Sequence, residues 1–380
     1  MNDALQKTVL HAVQRAGGAT MAPFAGYEMP LHFGSALKEH HAVRSACGVF
    51  DCSHMGIIEV MGPGAQALLR RAMANDIARL KGPGRAQYTL MLHEGGGILD
   101  DLIVSWLGED RYRLVVNAAT KASDLAHLQV LTAGEPVQLV PRPDWALLAV
   151  QGPRAEAMLG TVLPDVAPQL AAMRSFAVWE GLQGTPRQDW MLSRTGYTGE
   201  DGFEVVLPGD QAAALWTQLL EAGVAPCGLA ARDSLRLEAG LNLYGIDMDR
   251  DTTPEEVGLG WTVAHEPFER SFVGRQALQE HVNRFRRVGL VLQDRGVLRA
   301  GQALWQHDGQ VGVVTSGGHS PTMGCGIALA RLDLACADTG HLQVAIRERL
   351  HPVAVVEPPF VRRGRIMVDV PSTHGAKSTG

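Results

Sequence analysis

The feature that most limits the fold of this chain is a change of texture near residue 265. Downstream of it, short apolar runs recur at close spacing, separated by Gly, Pro and an Asp-Gly turn in HDGQVG. The runs Val288–Leu292, Ala303–Gln306, Gln310–Thr315, Gly326–Ala330 and Leu342–Ile346 predict a small β-barrel or sandwich of about a hundred residues. Upstream, a 3.6-residue apolar period predicts helices over Asp3–Arg15, Ser35–Ala46, Gly64–Asn75, Ala119–Leu131, Asp210–Ala222 and Gly228–Ala239. Strand-like runs fall at Gly56–Val60, Gln87–Leu92, Leu99–Ser105, Tyr112–Val116, Leu147–Val150 and Phe203–Leu207. The two kinds of element mix without a regular βαβ beat, and no G-x-G-x-x-G follows a strand. The expectation is therefore an α+β fold, not a doubly wound dinucleotide-binding sheet. Glu266–Gln279 bridges the two parts, and the polar tail PSTHGAKSTG reads as disordered.

Composition narrows the function classes. The 380 residues allow two or three domains. A net charge of −6 argues against nucleic-acid and anionic-membrane partners. No apolar run approaches the roughly 20 residues that cross a bilayer, and the N-terminus lacks a signal-peptide core. Five cysteines show no C-x-x-C spacing of zinc or redox sites, and their odd count fits a reducing compartment; an intracellular protein is expected, and the starting Met favours the cytoplasm. With only five lysines, nearly all positive charge is arginine. That suits fixed recognition of carboxylate or phosphate, and codon bias accounts for it equally well.

Five stretches could carry chemistry. In GGGILDDLIV, Asp100 and Asp101 interrupt an apolar run, and burying an ionised carboxylate without a partner is costly. Side chains alternate along a strand, so the two acids point to opposite faces and cannot form a proton-sharing dyad with each other. One is functional or buried with partners; the other is exposed or caps the glycine turn. FDCSHMG places Asp51, Ser53 and His54 together, but adjacent Ser and His rarely reach triad geometry, and capping explains the acid better.

In RTGYTGEDGFEVVLP, Gly196, Gly199 and Gly202 would let the backbone approach a ligand, and Tyr197 could stack on a flat ring. Phe203 and Val205 share one strand face, so Glu204 takes the other, where a carboxylate could accept two N–H groups. A glycine-rich hairpin with an incidental acid remains the alternative. GLAARDSLRLEAGLNLYG opens as an amphipathic helix with Ala231, Leu235 and Ala239 on one face. Arg232 lies near its start, either beside a cleft or on a solvated face with Asp233 or Glu238. In DTTPEEVGLGWTV, Trp261 reads as core unless it borders a ring-binding pocket.

Taken in order, FAGYEMP, FDCSHMG, NDIARLKGPGRAQYTLML, GGILDDLIV, RLVVNAA, LAVQGP, SRTGYTGEDGFEVVLP, GLAARDSLRLEAGLNLYGIDM, TPEEVGLGWTV and VTSGGHSPTMG closely resemble the glycine cleavage T-protein family of folate-dependent aminomethyltransferases. The resemblance spans roughly Leu10 to Arg363. It implies a three-domain cloverleaf around a central folate channel. The first domain would be discontinuous (1–55 and 145–265), the second (56–144) inserted in it, and the third a C-terminal β-barrel (280–368), ahead of the tail 369–380. The resemblance also implies tetrahydrofolate as co-substrate, without a metal, and a lipoylated H-protein as partner. By motif, Asp101 resembles the family's catalytic aspartate, and Glu204 and Arg232 its pterin-binding carboxylate and the neighbouring guanidinium. Tyr88, Asn117, Tyr197, Met55 and Trp261 resemble cavity-lining positions. The rival readings are a related folate-dependent demethylase acting on a small methyl donor and a non-catalytic folate-binding protein. The latter's K-G-C-Y-x-G-Q-E-like signature does not occur in this chain.

Overall fold

The computed structural model describes residues 4–336, 339–347 and 349–369, and within them the fold is α+β. One sheet has six strands in the order Val178–Glu180, Met191–Ser193, Gly202–Pro208, Trp145–Gln151, Gly48–Asp51 and Ala225–Cys227. All neighbours are antiparallel except the last pair. Alternation divides its faces. Phe203, Val205, Leu207, Leu148 and Val150 pack with Leu159 and Trp216 from the helices Ala155–Val162 and Gly209–Glu221, and Val206, Leu147 and Ala149 point the other way. The strand Trp145–Gln151 is buried along its whole length, which is why WALLAV reads as a continuous apolar run.

A second sheet runs Arg85–Leu92, Ile98–Gly108, Arg111–Val116, Gly56–Met61, Gln138–Pro141. Leu102, Val104, Leu114 and Val116 pack under the helices Ala65–Ala72 and Lys121–Leu131. From its opposite face Ile57, Ala86, Ile103 and Val115 join Phe50, Leu147, Ala149 and Val206 of the first sheet in one apolar cluster. The two sheets thus meet face to face, and any polar side chain on those inner faces is held between them.

The third unit is a closed six-stranded barrel in the order Phe285–Leu292, Cys325–Asp333, Gly309–Ser320, Ala303–Gln306, Gln343–Ile346, Arg349–Val356. Leu290, Leu304, Val314, Ala328, Leu332 and Val344 fill it. Its sixth strand was not expected from the sequence, because Pro352 in HPVAVV demotes a strand reading. Here the Pro352 carbonyl accepts from the Gln293 N–H at 3.1 Å, so the position needs only an acceptor. The turn before Gly309–Ser320 is centred on His307 and Asp308 rather than on Asp-Gly, since Gly309 already pairs with Gln306.

The expected helix over Asp3–Arg15 is shortened to His11–Ala16. Asp3 lies outside the described residues, and Gln6 instead bridges to Tyr27 in extended conformation, exchanging hydrogen bonds with Gly26 and Glu28. A β-bridge there satisfies backbone groups that the helix period alone would have placed in a turn. The other expected helices form with ends moved by no more than three residues, as fraying ends do. The tail from residue 370 lies outside the described residues.

Candidate active site

Strand alternation sends the acidic doublet to two different environments. Asp100 points with Leu102 and Val104 to the helix-covered face and is fully buried. Asp101 points with Ile103 to the face between the sheets and is half-buried. Asn117, just past the strand Arg111–Val116, ties the two together. Its side-chain nitrogen lies 2.9 Å from Asp100 Oδ1 and 2.8 Å from Asp101 Oδ1, and its backbone N–H donates to Asp100 Oδ2 at 3.0 Å. The Tyr88 hydroxyl donates to Asp101 Oδ2 at 2.9 Å. That contact follows from register: Tyr88 pairs with Ile103 and Leu90 with Asp101, so Tyr88 sits diagonally across from Asp101 on the same face.

Electrostatically, Asp101 is held short of full compensation. Burial and the nearby Asp100 charge push its carboxyl up to about 7, against the two hydrogen bonds that favour ionisation. Burial also raises Asp100, against the two Asn117 N–H groups, and the Tyr88 hydroxyl is driven well up by burial and by Asp101 itself. Asp101 therefore changes charge near neutral pH, as a proton acceptor in catalysis requires.

Glu204 and Arg232 come from the first sheet and the helix packed on it. Glu204 lies on the strand face shared with Val206, and its Oε2 accepts from the Thr195 hydroxyl at 2.6 Å. Oε1 has no hydrogen-bond partner among the described residues. Arg232, in the first turn of the helix Leu229–Glu238, lies with its guanidinium 4.9 Å from the centre of the Tyr197 ring. Its Nη1 is buried without a hydrogen-bond partner. This is not the solvated ion pair that the sequence also allowed, because Glu238 is fully buried and bound to Arg44 instead. The buried Cys52 thiol, raised to about 12 by burial, feels the charges of both Arg232 and Glu204 and so lies beside the two.

The aromatic positions divide. Trp261 is 67% exposed, which overturns the reading of it as core; it stacks on Tyr88 at 6.0 Å between ring centres and 25° between planes. Tyr197 donates its hydroxyl to the Asn242 carbonyl, and burial raises its ionisation well above the usual phenol range, so it serves as a neutral ring. Met55 is half-buried against the inter-sheet cluster. The structure thus brings Asp101, Tyr88, Asn117 and Trp261 together at one sheet, and Glu204, Arg232 and Tyr197 at the other, with Met55 at the cluster between.

Two other expectations resolve structurally. Gly196 and Gly202 do not make room for a ligand: a Cβ on either would fall 1.9 and 2.4 Å from the Gln151 side-chain amide, which fills that space. Asp51 accepts from Thr8, Gln14 and the Ser53 N–H, as a capping acid does. Ser53 accepts from the Leu147 N–H, and burial holds His54 neutral, at about 3, so the pair is no nucleophilic site. Thr195 was missed; its only signal was its place in SRTGY, just ahead of the strand carrying Glu204. No group of three or more His, Cys, Asp or Glu that could hold a metal ion occurs among the described residues. No helix among them is long and apolar enough to cross a membrane.

Comparison with known proteins gives a consistent result. The GCVT N-terminal domain model matches residues 10–266, and the glycine cleavage T-protein C-terminal barrel domain model matches residues 286–362. The chain is 48% identical over 366 residues to an aminomethyltransferase of Pseudomonas syringae pv. tomato, covering 96% of this chain and 99% of that one. It is equally identical over 369 residues to one of Methylococcus capsulatus, with the same coverage. The crystal structure of glycine cleavage system aminomethyltransferase T from Bartonella henselae superposes with a TM-score of 0.87 at 38% identity, covering 95% of this chain and 99% of that one.

Proposed function

The chain belongs to the glycine cleavage T-protein family, and from that premise we propose that it is an aminomethyltransferase moving the methylene of an aminomethyl-dihydrolipoyl H-protein to tetrahydrofolate. The products are 5,10-methylenetetrahydrofolate, ammonia and the dihydrolipoyl H-protein. In this reading residues 1–55 with 145–265 and the inserted 56–144 form the folate-binding part, and 280–368 the barrel domain.

The donor set fits a reduced pterin. Such a ring is flat and presents an N–H-rich amino-pyrimidine edge, which matches the open Oε1 of Glu204. The unpartnered Arg232 Nη1 supplies a donor beside it, and Tyr88, Tyr197 and Trp261 supply flat walls. Met55 contributes an adaptable apolar contact. Tetrahydrofolate supplies the nitrogens that receive the carbon; the sulfur donor leaves as a thiol.

What this chain contributes is position and charge. Holding both reactants between the sheets with water excluded removes much of the entropic barrier. Asp101 orients the folate, stabilises positive charge as it develops on nitrogen or on the iminium-like carbon, and accepts a proton. Asn117 and Tyr88 fix its two oxygens. The observation that carries the reading is the Asp101 carboxyl itself, held on the inter-sheet face and poised near neutral pH.

The test is a coupled assay with aminomethylated lipoyl H-protein and tetrahydrofolate, following ammonia and methylenetetrahydrofolate. Asp101→Asn keeps the shape and removes the charge, and its kcat is expected to fall by about 10²- to 10⁴-fold with folate affinity nearly unchanged. A folded variant that binds folate and turns over within a few-fold of wild type would refute the role, and absence of folate-dependent ammonia release would refute the activity.

A further inference from the structure

Behind Asp101 lies a third acid that the reaction as described does not use. Asp124, on the helix Lys121–Leu131, is 1% exposed, and its carboxyl is within hydrogen-bond reach of Asp100, which is fully buried. Its Oδ2 is buried without a hydrogen-bond partner, and a buried carboxyl beside another carboxylate is repelled unless a proton lies between them. Asp100 is already supplied by the Asn117 backbone and side-chain N–H groups, so its ionised form is the better supported of the two.

We infer that Asp124 is a positioning residue for the reaction: it is a neutral acid whose proton is donated to Asp100, so that the pair carries one negative charge fixed one Asn117 amide away from Asp101. This rests on the reading of Asp101 given above. The shared proton holds Asp100 ionised where isolation in the apolar layer would neutralise it, and the Asp100 charge in turn lifts Asp101. Burial, with the Asp100 charge, raises Asp124 to about 9, in keeping with that assignment.

The other groups facing the pair are few. Thr120 lies within hydrogen-bond reach of both acids, and its hydroxyl donates to the Asn117 carbonyl at 3.2 Å; Tyr244 feels both charges, its hydroxyl donating to the Ile98 carbonyl at 3.1 Å. On the far side Asp124 borders a cavity of about 140 Å³ with His93, Leu99, Ser123, His127 and Arg250, large enough for water and so for proton exchange with solvent. His127 is held low by burial and is neutral there.

The experiment compares the full-length enzyme with Asp124→Asn and Asp124→Leu, by infrared spectroscopy from pH 7 to pH 8 and by the pH profile of kcat. A protonated-carboxyl carbonyl band that persists at pH 8, where Asp101 is mostly ionised, is expected in wild type and absent at that pH from Asp124→Asn. An amide replaces a neutral acid without changing charge, so Asp124→Asn should keep the acid limb of the profile in place. Asp124→Leu removes the donor, lets Asp100 neutralise, and should move that limb about half a pH unit or more to lower pH with folate affinity within about two-fold. The inference is overturned if the band is missing, if both variants leave the limb unmoved, or if Asp124→Asn moves it as far as Asp124→Leu. Should Asp124→Leu fail to fold, the band and the Asn variant decide. A turnover that survives Asp101→Asn would instead refute the Asp101 reading while leaving the band intact.

Discussion

Two buried carboxylates in this molecule are treated in opposite ways. Glu238, at the end of the helix Leu229–Glu238 where it meets the barrel, is fully enclosed. It accepts from Arg44 Nε at 3.0 Å and Nη2 at 2.7 Å, from the Ser320 hydroxyl at 2.5 Å, and from the Thr322 N–H and hydroxyl at 2.9 Å each. His40 Nε2 lies 3.3 Å away. Burial alone would raise such a group, but His40 and these partners overturn that and bring it to about 2. Among the described side chains Asp101 accepts from just Tyr88 and Asn117, feels the charge of the acid behind it, and rises to about 7. A carboxylate meant to hold two units together is saturated with donors. One meant to react is left short of them, so that bound substrate can supply the remainder.

The comparison breaks most readily at Glu238. Glu238→Ala strands Arg44 and His40 in a dry junction and should cost about 3 to 5 kcal/mol of stability, read from denaturant unfolding at pH 7. The pH dependence has a definite sign. Glu238 sits below its usual 4.5 in the folded state, so its contribution is complete above 4.5 and is lost as pH falls toward 2. The gap between wild type and variant should therefore narrow on acidification; a gap that stays constant, or a variant as stable as wild type, would contradict the structural role. Glu204 stands between the two extremes, with one oxygen held by Thr195 and the other open. Glu204→Gln should weaken tetrahydrofolate binding by about 10- to 100-fold, as loss of a charge-assisted pair does, while unfolding shifts little. Equal affinity by titration calorimetry would remove Glu204 from the folate site.

How far the sequence foretold this depends on whether a feature is local. The split of the acidic doublet was legible, because alternation on a strand needs no knowledge of neighbours, and Asp100 and Asp101 do face different layers. A closely stranded barrel or sandwich was legible from its spacing, except where Pro352 disguised a strand, and the choice of a barrel came from the family resemblance. What could not be read were contacts made across the chain. Asn117 reaching both acids, Thr195 under Glu204, and Asp124 behind Asp100 depend on how a strand end, a loop and a helix are brought together. Trp261 misled for the same reason: GLGWTV looks like core until the fold places the indole outside, against Tyr88. Gly196 and Gly202 misled because the group that needs their space is Gln151 of this chain and not a ligand.

The smallest expected effect is also the sharpest contrast with Glu238. Because Asp101 is raised from its usual 3.8 to about 7, the folded protein binds a proton there that the unfolded chain releases. Its favourable contribution is complete below 3.8 and is lost as pH rises through 7; above that the ionised carboxylate is a burden on the fold. Asn carries no such charge. Asp101→Asn should therefore be as stable as wild type at pH 4 and more stable at pH 8, by about 1 kcal/mol once the mismatch of an amide N–H₂ with the Asn117 and Tyr88 donors is subtracted. Unfolding midpoints at the two pH values check this. A variant that loses stability at pH 8 would mean that Asp101, like Glu238, is there to hold the structure together, and that its loss of activity reports a damaged fold.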